Sequence, residues 1–187
     1  MKHMLIFILL FQSAFGFACQ EGLWRLESGI GEAAIQNMEL PPSTDAGLTL
    51  ESTEGTFDLR LVQASESEDG VTLVGSQQAY LYTLNYQIEA GVMSMPMKIT
   101  MDGAQGGIQY TFWNDGTVDV GALPEAEGSW AVTAEVMGSS LPFSDEDVPV
   151  GPGFVGTYEC VGSESLSMAL STPDNDLTYN LVFARVE

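Results

Sequence analysis

Three methionines hold alternate positions in the stretch VMSMPMKITM: Met93, Met95 and Met97. On an extended strand their thioethers share one face. Soft sulfur ligands at that spacing suit Cu(I). They suit an apolar lining better, because unbranched Met fills irregular cavities well, and lining is the reading adopted here, with no metal ligand assigned. A second alternating set, Tyr80, Tyr82 and Tyr86, with Tyr110 and Trp113 further on, offers rings that can stack on a sugar or wall an apolar pocket. Aromatic residues are equally at home as ordinary strand residues. Together Tyr80, Tyr82, Tyr86, Met93, Met95, Met97 and Tyr110 form the candidate lining of a site for a small apolar ligand.

The acids point to less. The chain carries 26 Asp and Glu. They cluster at Glu66-Ser67-Glu68-Asp69, Asp145-Glu146-Asp147 and Asp174-Asn175-Asp176. None of these has the Asp-x-Asp-x-Asp-Gly spacing and distal Glu of an EF-hand loop. A carboxylate pair for glycoside hydrolysis needs two acids across a cleft, and so many acids leave no pair singled out. The only histidine is His3, inside the apolar leading segment. Without another, Ser-His-Asp and Cys-His catalysis and almost every zinc or iron site are excluded. No catalytic residue and no cofactor is assigned, and the chain is not expected to be an enzyme.

The leading segment MKHMLIFILLFQSAFGFA has the layout of a secretory signal peptide: a short positive start through Lys2, an apolar run from Met4 to Phe11, and small residues Gly16 and Ala18. Those two stand at −3 and −1 of a cut before Cys19. Residues 1–18 are read as the signal and 19–187 as a single β domain. The apolar run is short of the ~20 residues that span a bilayer, and no later segment is longer, so no transmembrane segment is expected. The mature chain is placed outside the cytoplasm: periplasmic, cell-surface or extracellular.

Export puts Cys19 and Cys160 in an oxidising compartment, where two cysteines usually pair. A Cys19–Cys160 bridge would close a loop of about 140 residues, worth at most roughly 5 kcal/mol of chain entropy. The competing reading acylates Cys19 as a lipid anchor and leaves Cys160 a buried thiol. Gly16 and Phe17 fit a lipidation site poorly, so the bridge is preferred and the anchor stays open.

Charge limits the partners. The formal net charge is −21. Past the signal, the bases are Arg25, Arg60, Lys98 and Arg185. Such a surface repels nucleic acid and anionic lipid. It suits a salty exterior, where screening cuts self-repulsion to about 8 Å or less.

These side chains sit on a sequence with strand periodicity nearly throughout. Period-two stripes run through Leu48–Leu50, Phe57–Leu61, Tyr80–Ile88, Met93–Met101, Ile108–Phe112, Trp130–Val136, Tyr158–Cys160, Leu166–Leu170 and Tyr179–Phe183. Asn114-Asp115-Gly116 is a hairpin signal. Pro96 marks an edge or a bulge. Two proline-containing loops are expected, Ile30 to Ala46 and Leu141 to Gly153, with one short helix at Gly31 to Met38. Roughly ten short strands joined by Gly, Asp and Ser turns predict an all-β fold, an antiparallel barrel or alternatively a β-sandwich.

The two ends of the chain resemble a lipocalin, in the form of bacterial lipocalin-like exported proteins. That family opens its first strand with Gly-x-Trp and sets an Arg of the last strand over the Trp. Here Gly22-Leu23-Trp24 lies just inside the mature start, and Arg185 lies in the closing NLVFARVE. The resemblance covers about the two ends only. It implies an antiparallel barrel with one wide end and structural roles for Trp24 and Arg185, and it carries no ligand across. The expected function is an exported acidic barrel that holds a small apolar or amphipathic ligand. The alternative is a structural or adhesive envelope protein with a packed barrel and no ligand.

Overall fold

The computed structural model describes residues 21–31, 46–143, 153–172 and 178–186. Eleven strands follow one another: β1 (Gly22–Ser28), β2 (Ala46–Gly55), β3 (Asp58–Glu66), β4 (Gly70–Ala90), β5 (Met93–Trp113), β6 (Thr117–Ala122), β7 (Gly128–Val136), β8 (Ser139–Phe143), β9 (Phe154–Val161), β10 (Ser165–Ser171) and β11 (Thr178–Arg185). All pairings are antiparallel. Eight strands close on themselves in the order β1-β3-β4-β5-β6-β9-β10-β11, with β11 returning to β1. With β2, β7 and β8 set aside, each neighbour in the barrel is the next strand in the chain. The result is an up-and-down meander, and closure leaves the barrel without an edge.

The remaining strands build an extension. β4 and β5 each run 21 residues, about twice what a small barrel needs. Their first and last parts, respectively, belong to the barrel. Beyond it the hairpin continues, flanked by β2 on one side and β7 then β8 on the other. Pro142 lies in β8 at the outer edge of this sheet, and Pro96 lies just beyond the last residue of β5 that pairs with β7. Both prolines thus stand at an edge position of the sheet, where proline is tolerated.

Two bulges let one face serve both parts. The β4–β5 register shifts between Gly75 and Gln77 and again between Gln77 and Tyr80. Each bulge adds one residue to one strand, so the inward positions change parity on both. Val71, Leu73 and Gly75 face inward in the barrel, and Tyr82, Leu84 and Tyr86 continue that face in the extension. On β5 the switch falls at Gly106-Gly107, where the strand passes from β6 to β7. Gly107 has φ +74°, and a methyl there would lie 2.7 Å from the Ala126 Cα. Only glycine fits this crossing.

The turns follow their residues. Asn114-Asp115-Gly116 closes β5–β6, with Gly116 at φ +87° and Asp115 Oδ1 accepting from the Thr117 amide at 2.9 Å and its hydroxyl at 2.6 Å. Gly91, at φ +63°, opens the two-residue turn between β4 and β5. Between β7 and β8 the turn is Met137-Gly138, and Met137 takes φ +53°, a conformation that costs a residue with a Cβ.

The core runs continuously along the inner face. Trp24, Leu84, Phe112, Val118 and Leu166 are wholly removed from solvent. The rings of Phe112 and Tyr158 meet edge to face at 4.9 Å, and those of Phe154 and Tyr179 at 5.7 Å. An eight-stranded barrel is about wide enough for its own side chains to fill. Leu141, expected in a loop with the residues after it, is the third residue of β8. Ala46, expected as loop, opens β2. The expected helix beyond Gly31 and the acids 145–147 and 174–176 lie outside the described residues, as do residues 1–18 and Cys19. No helix among the described residues is long and apolar enough to cross a membrane.

Candidate functional site

The candidate lining residues whose side chains are described share one face, but not one place. Tyr110 lies inside the barrel opposite Leu73 and Val120. Tyr82 and Tyr86 lie in the extension, paired with Met101 and Met97. From Tyr110 to Met93 the set spreads over roughly 50 Å of strand. The methionine stripe emerges from the core as it nears the tip: Met97 is buried, Met95 half-buried and Met93 61% exposed. The Tyr80 side chain lies outside the described residues, although its backbone pairs with Gly103.

The described tyrosines differ in how their hydroxyls are satisfied. Tyr86 donates to the Gly31 carbonyl at 2.9 Å, pinning the segment after β1 against the extension. Tyr158 donates to the Trp113 carbonyl at 3.0 Å. Tyr110 is 94% buried, and its hydroxyl makes no hydrogen bond among the described residues. Gly75 makes room for its ring, since a methyl there would lie 2.5 Å from Tyr110 Cε2. Burial pushes the Tyr110 phenol well above the ordinary tyrosine range.

On the closing pair of strands the Arg185 guanidinium lies 5.8 Å from the centre of the Trp24 ring, and the two residues are register partners in β11 and β1. The Arg25 and Asp58 side chains pair across β1 and β3 at 2.7 and 2.8 Å. Cys160 is half-buried on the inner face of β9, opposite Leu166. Among the described residues no cysteine is free. No cluster of His, Cys, Asp or Glu among them could hold a metal ion.

Among the described residues, two depressions lie on the outer wall. The larger, about 540 Å³, is lined by residues that include Thr72, Gln109, Thr111, Trp113, Asp119 and Phe154. Gln109, Thr111 and Trp113 are alternate outward residues of β5, and Thr72 and Asp119 are the register partners of Thr111 on either side. The Thr72 and Thr111 hydroxyls lie 3.3 Å apart. The Trp113 indole N–H donates to Asp119 Oδ2 at 2.7 Å. The smaller depression, about 410 Å³, crosses β9, β10 and β11 over Thr157, Ser167, Ala169 and Asn180. Reading the sequence for apolar stripes passes over these residues, because they are the polar half of the same alternation. The signal present is the row Gln109-x-Thr111-x-Trp113 interleaved with Ile108, Tyr110 and Phe112.

No protein-family model, curated protein or solved structure matches the chain.

Proposed function

We propose that this chain is an exported, acidic, lipocalin-like barrel domain with a packed interior, acting as a structural or adhesive module of the cell envelope or exterior. The carrying observation is the filling of the inner face. Trp24, Phe112, Leu166 and Phe183 come from different strands, and each is at most 2% exposed. Trp24 under Arg185 supports the lipocalin-like reading, because it closes the first strand on the last. The domain is not an enzyme in this proposal. Residues 1–18 are removed, and Cys19 pairs with Cys160. In support, no cysteine is free among the described residues. An environment-sensitive apolar dye tests the packed interior: no brightening in the native state is expected, and saturable native-state brightening overturns it. Intact mass before and after reduction and alkylation tests the bridge, and an acyl chain on Cys19 overturns it.

One observation favours a second reading, a barrel that holds a small amphipathic ligand. The Tyr110 hydroxyl lies buried with no partner among the described residues, and the polar end of a ligand would satisfy it. That reading predicts dye binding sensitive to Tyr110→Phe.

A further inference from the structure

We propose that the larger outer-wall depression binds an uncharged carbohydrate chain, with Trp113 as its aromatic platform. The reasoning begins with charge. In a chain of net charge −21, the only ionisable side chain that lines this depression among the described residues is Asp119, and its carboxylate already accepts from the Trp113 indole. A single engaged carboxylate repels anions and gives a cation one ligand group only. The occupant favoured by that balance is neutral.

The lining is also rich in hydrogen-bonding groups of both senses. The Thr72 and Thr111 hydroxyls bond to one another, which leaves one hydroxyl proton and spare lone pairs for a third group. The Gln109 Nε2 amide donates to the Thr111 hydroxyl at 3.5 Å, and the amide oxygen adds an acceptor. Thr111 is 91% buried, so its hydroxyl lies at the floor of the depression rather than on its rim. Amide, hydroxyl and indole follow one another on alternate residues of β5, a row about 13 Å long. Across the row, Thr72, Thr111 and Asp119 stand on adjacent strands, about 4.8 Å apart.

A sugar chain matches this arrangement. It has hydroxyls that both donate and accept, and apolar C–H faces that lie on aromatic rings. The indole N–H bond to Asp119 fixes the Trp113 ring in place, so little side-chain freedom is lost on binding. Phe154 and the outward Val155 also line the depression. The depression is open rather than enclosed, which suits a chain that continues past it. This site is independent of the interior and survives whether or not the barrel holds a ligand.

The test follows the three tryptophan indole N–H signals by NMR during titration with uncharged hexasaccharides: cellohexaose, maltohexaose and hexa-N-acetylchitohexaose. The Trp113 signal is assigned by its loss in Trp113→Phe. With at least one hexasaccharide, the Trp113 signal is expected to shift saturably while that of buried Trp24 stays still. Thr111→Val should weaken binding about tenfold. Trp113→Ala should abolish it, and Trp113→Phe should keep part of it. An unmoved Trp24 signal in each variant shows that the barrel is intact. Absence of a saturable shift with all three sugars overturns the proposal. So does undiminished binding in Trp113→Ala, or equal binding of an anionic oligogalacturonate.

Discussion

Tyr110→Phe removes one oxygen from the middle of the barrel, and its effect depends on whether that oxygen has a partner in solution. A buried hydroxyl without a hydrogen bond costs about 1–3 kcal/mol of desolvation. Deleting it recovers that cost, less the dispersion attraction between that one oxygen and its tightly packed neighbours. A net gain of about 1 kcal/mol is the central expectation, which for a domain of this size raises Tm by about 2–4 °C. The same substitution at Tyr86 and Tyr158 serves as the control. Those hydroxyls donate at 2.9 and 3.0 Å, so each Phe variant should lose about 1 kcal/mol.

A second readout of the same variant comes from pH. The folded-state pKa of Tyr110 is raised by burial. Above about pH 10 the unfolded chain ionises this phenol while the folded chain keeps its proton. Folding stability therefore falls as pH climbs from the ordinary tyrosine value toward the raised folded value. Tyr110→Phe should remove that part of the alkaline decline. Urea unfolding at pH 7 and at alkaline pH measures both effects. If Tyr110→Phe loses about 1 kcal/mol or more at pH 7, the hydroxyl is satisfied by water or a ligand, and the dry-interior reasoning fails.

Removing the Arg185 guanidinium by Arg185→Ala should cost about 0.5–2 kcal/mol of cation–π attraction, and Trp24→Ala about 3–5 kcal/mol as a large core truncation; thermal melts check both, and an unchanged Tm in both refutes the closure role. Gly107→Ala puts a Cβ at φ +74° and 2.7 Å from Ala126 Cα, and should lower stability by more than about 1 kcal/mol in urea unfolding. Met137→Gly relieves the φ of +53° and should raise stability by about 1 kcal/mol. The Asp115 carboxyl is held below the ordinary range by hydrogen bonds from the Thr117 side chain and backbone. Its contribution is therefore present above the unfolded-state value and lost as pH falls through the folded one. The difference in Tm between the protein and Asp115→Asn should shrink as pH drops through the carboxylate range.

How much of this is legible in the sequence depends on the distance over which each feature is decided. The hairpin at Asn114-Asp115-Gly116 is local, and three residues carry it. The barrel follows from alternation repeated along the chain, and Trp24 and Arg185 mark its closing strands. The spread of the tyrosine and methionine stripes along the hairpin is not legible. On β5 the odd stripe Met93–Met101 gives way to the even stripe Ile108–Phe112, so the sequence shows that the parity changes but not where the two stripes part. The bulges near Gln77 and Gly106-Gly107 change the parity within each strand, and a period of two gives no warning of where it slips. The glycines at 106 and 107 hint at the slip, but glycine also marks turns.

The same bulges decide where function can reside. Without them the inward side chains of the barrel would turn outward in the extension, and the hairpin would need two separate cores. With them a single apolar face of 21-residue strands is given over to packing from Val71 through Tyr86. A face used that way has little left to offer a ligand except at its emerging tip. The opposite face has no such duty. Gln109, Thr111 and Trp113 stand on it because Ile108, Tyr110 and Phe112 must point in, and their polar character is free to vary without cost to the core. At the carbohydrate site proposed on the wall, substitutions at Thr111 or Asp119 should therefore alter binding while leaving the barrel folded.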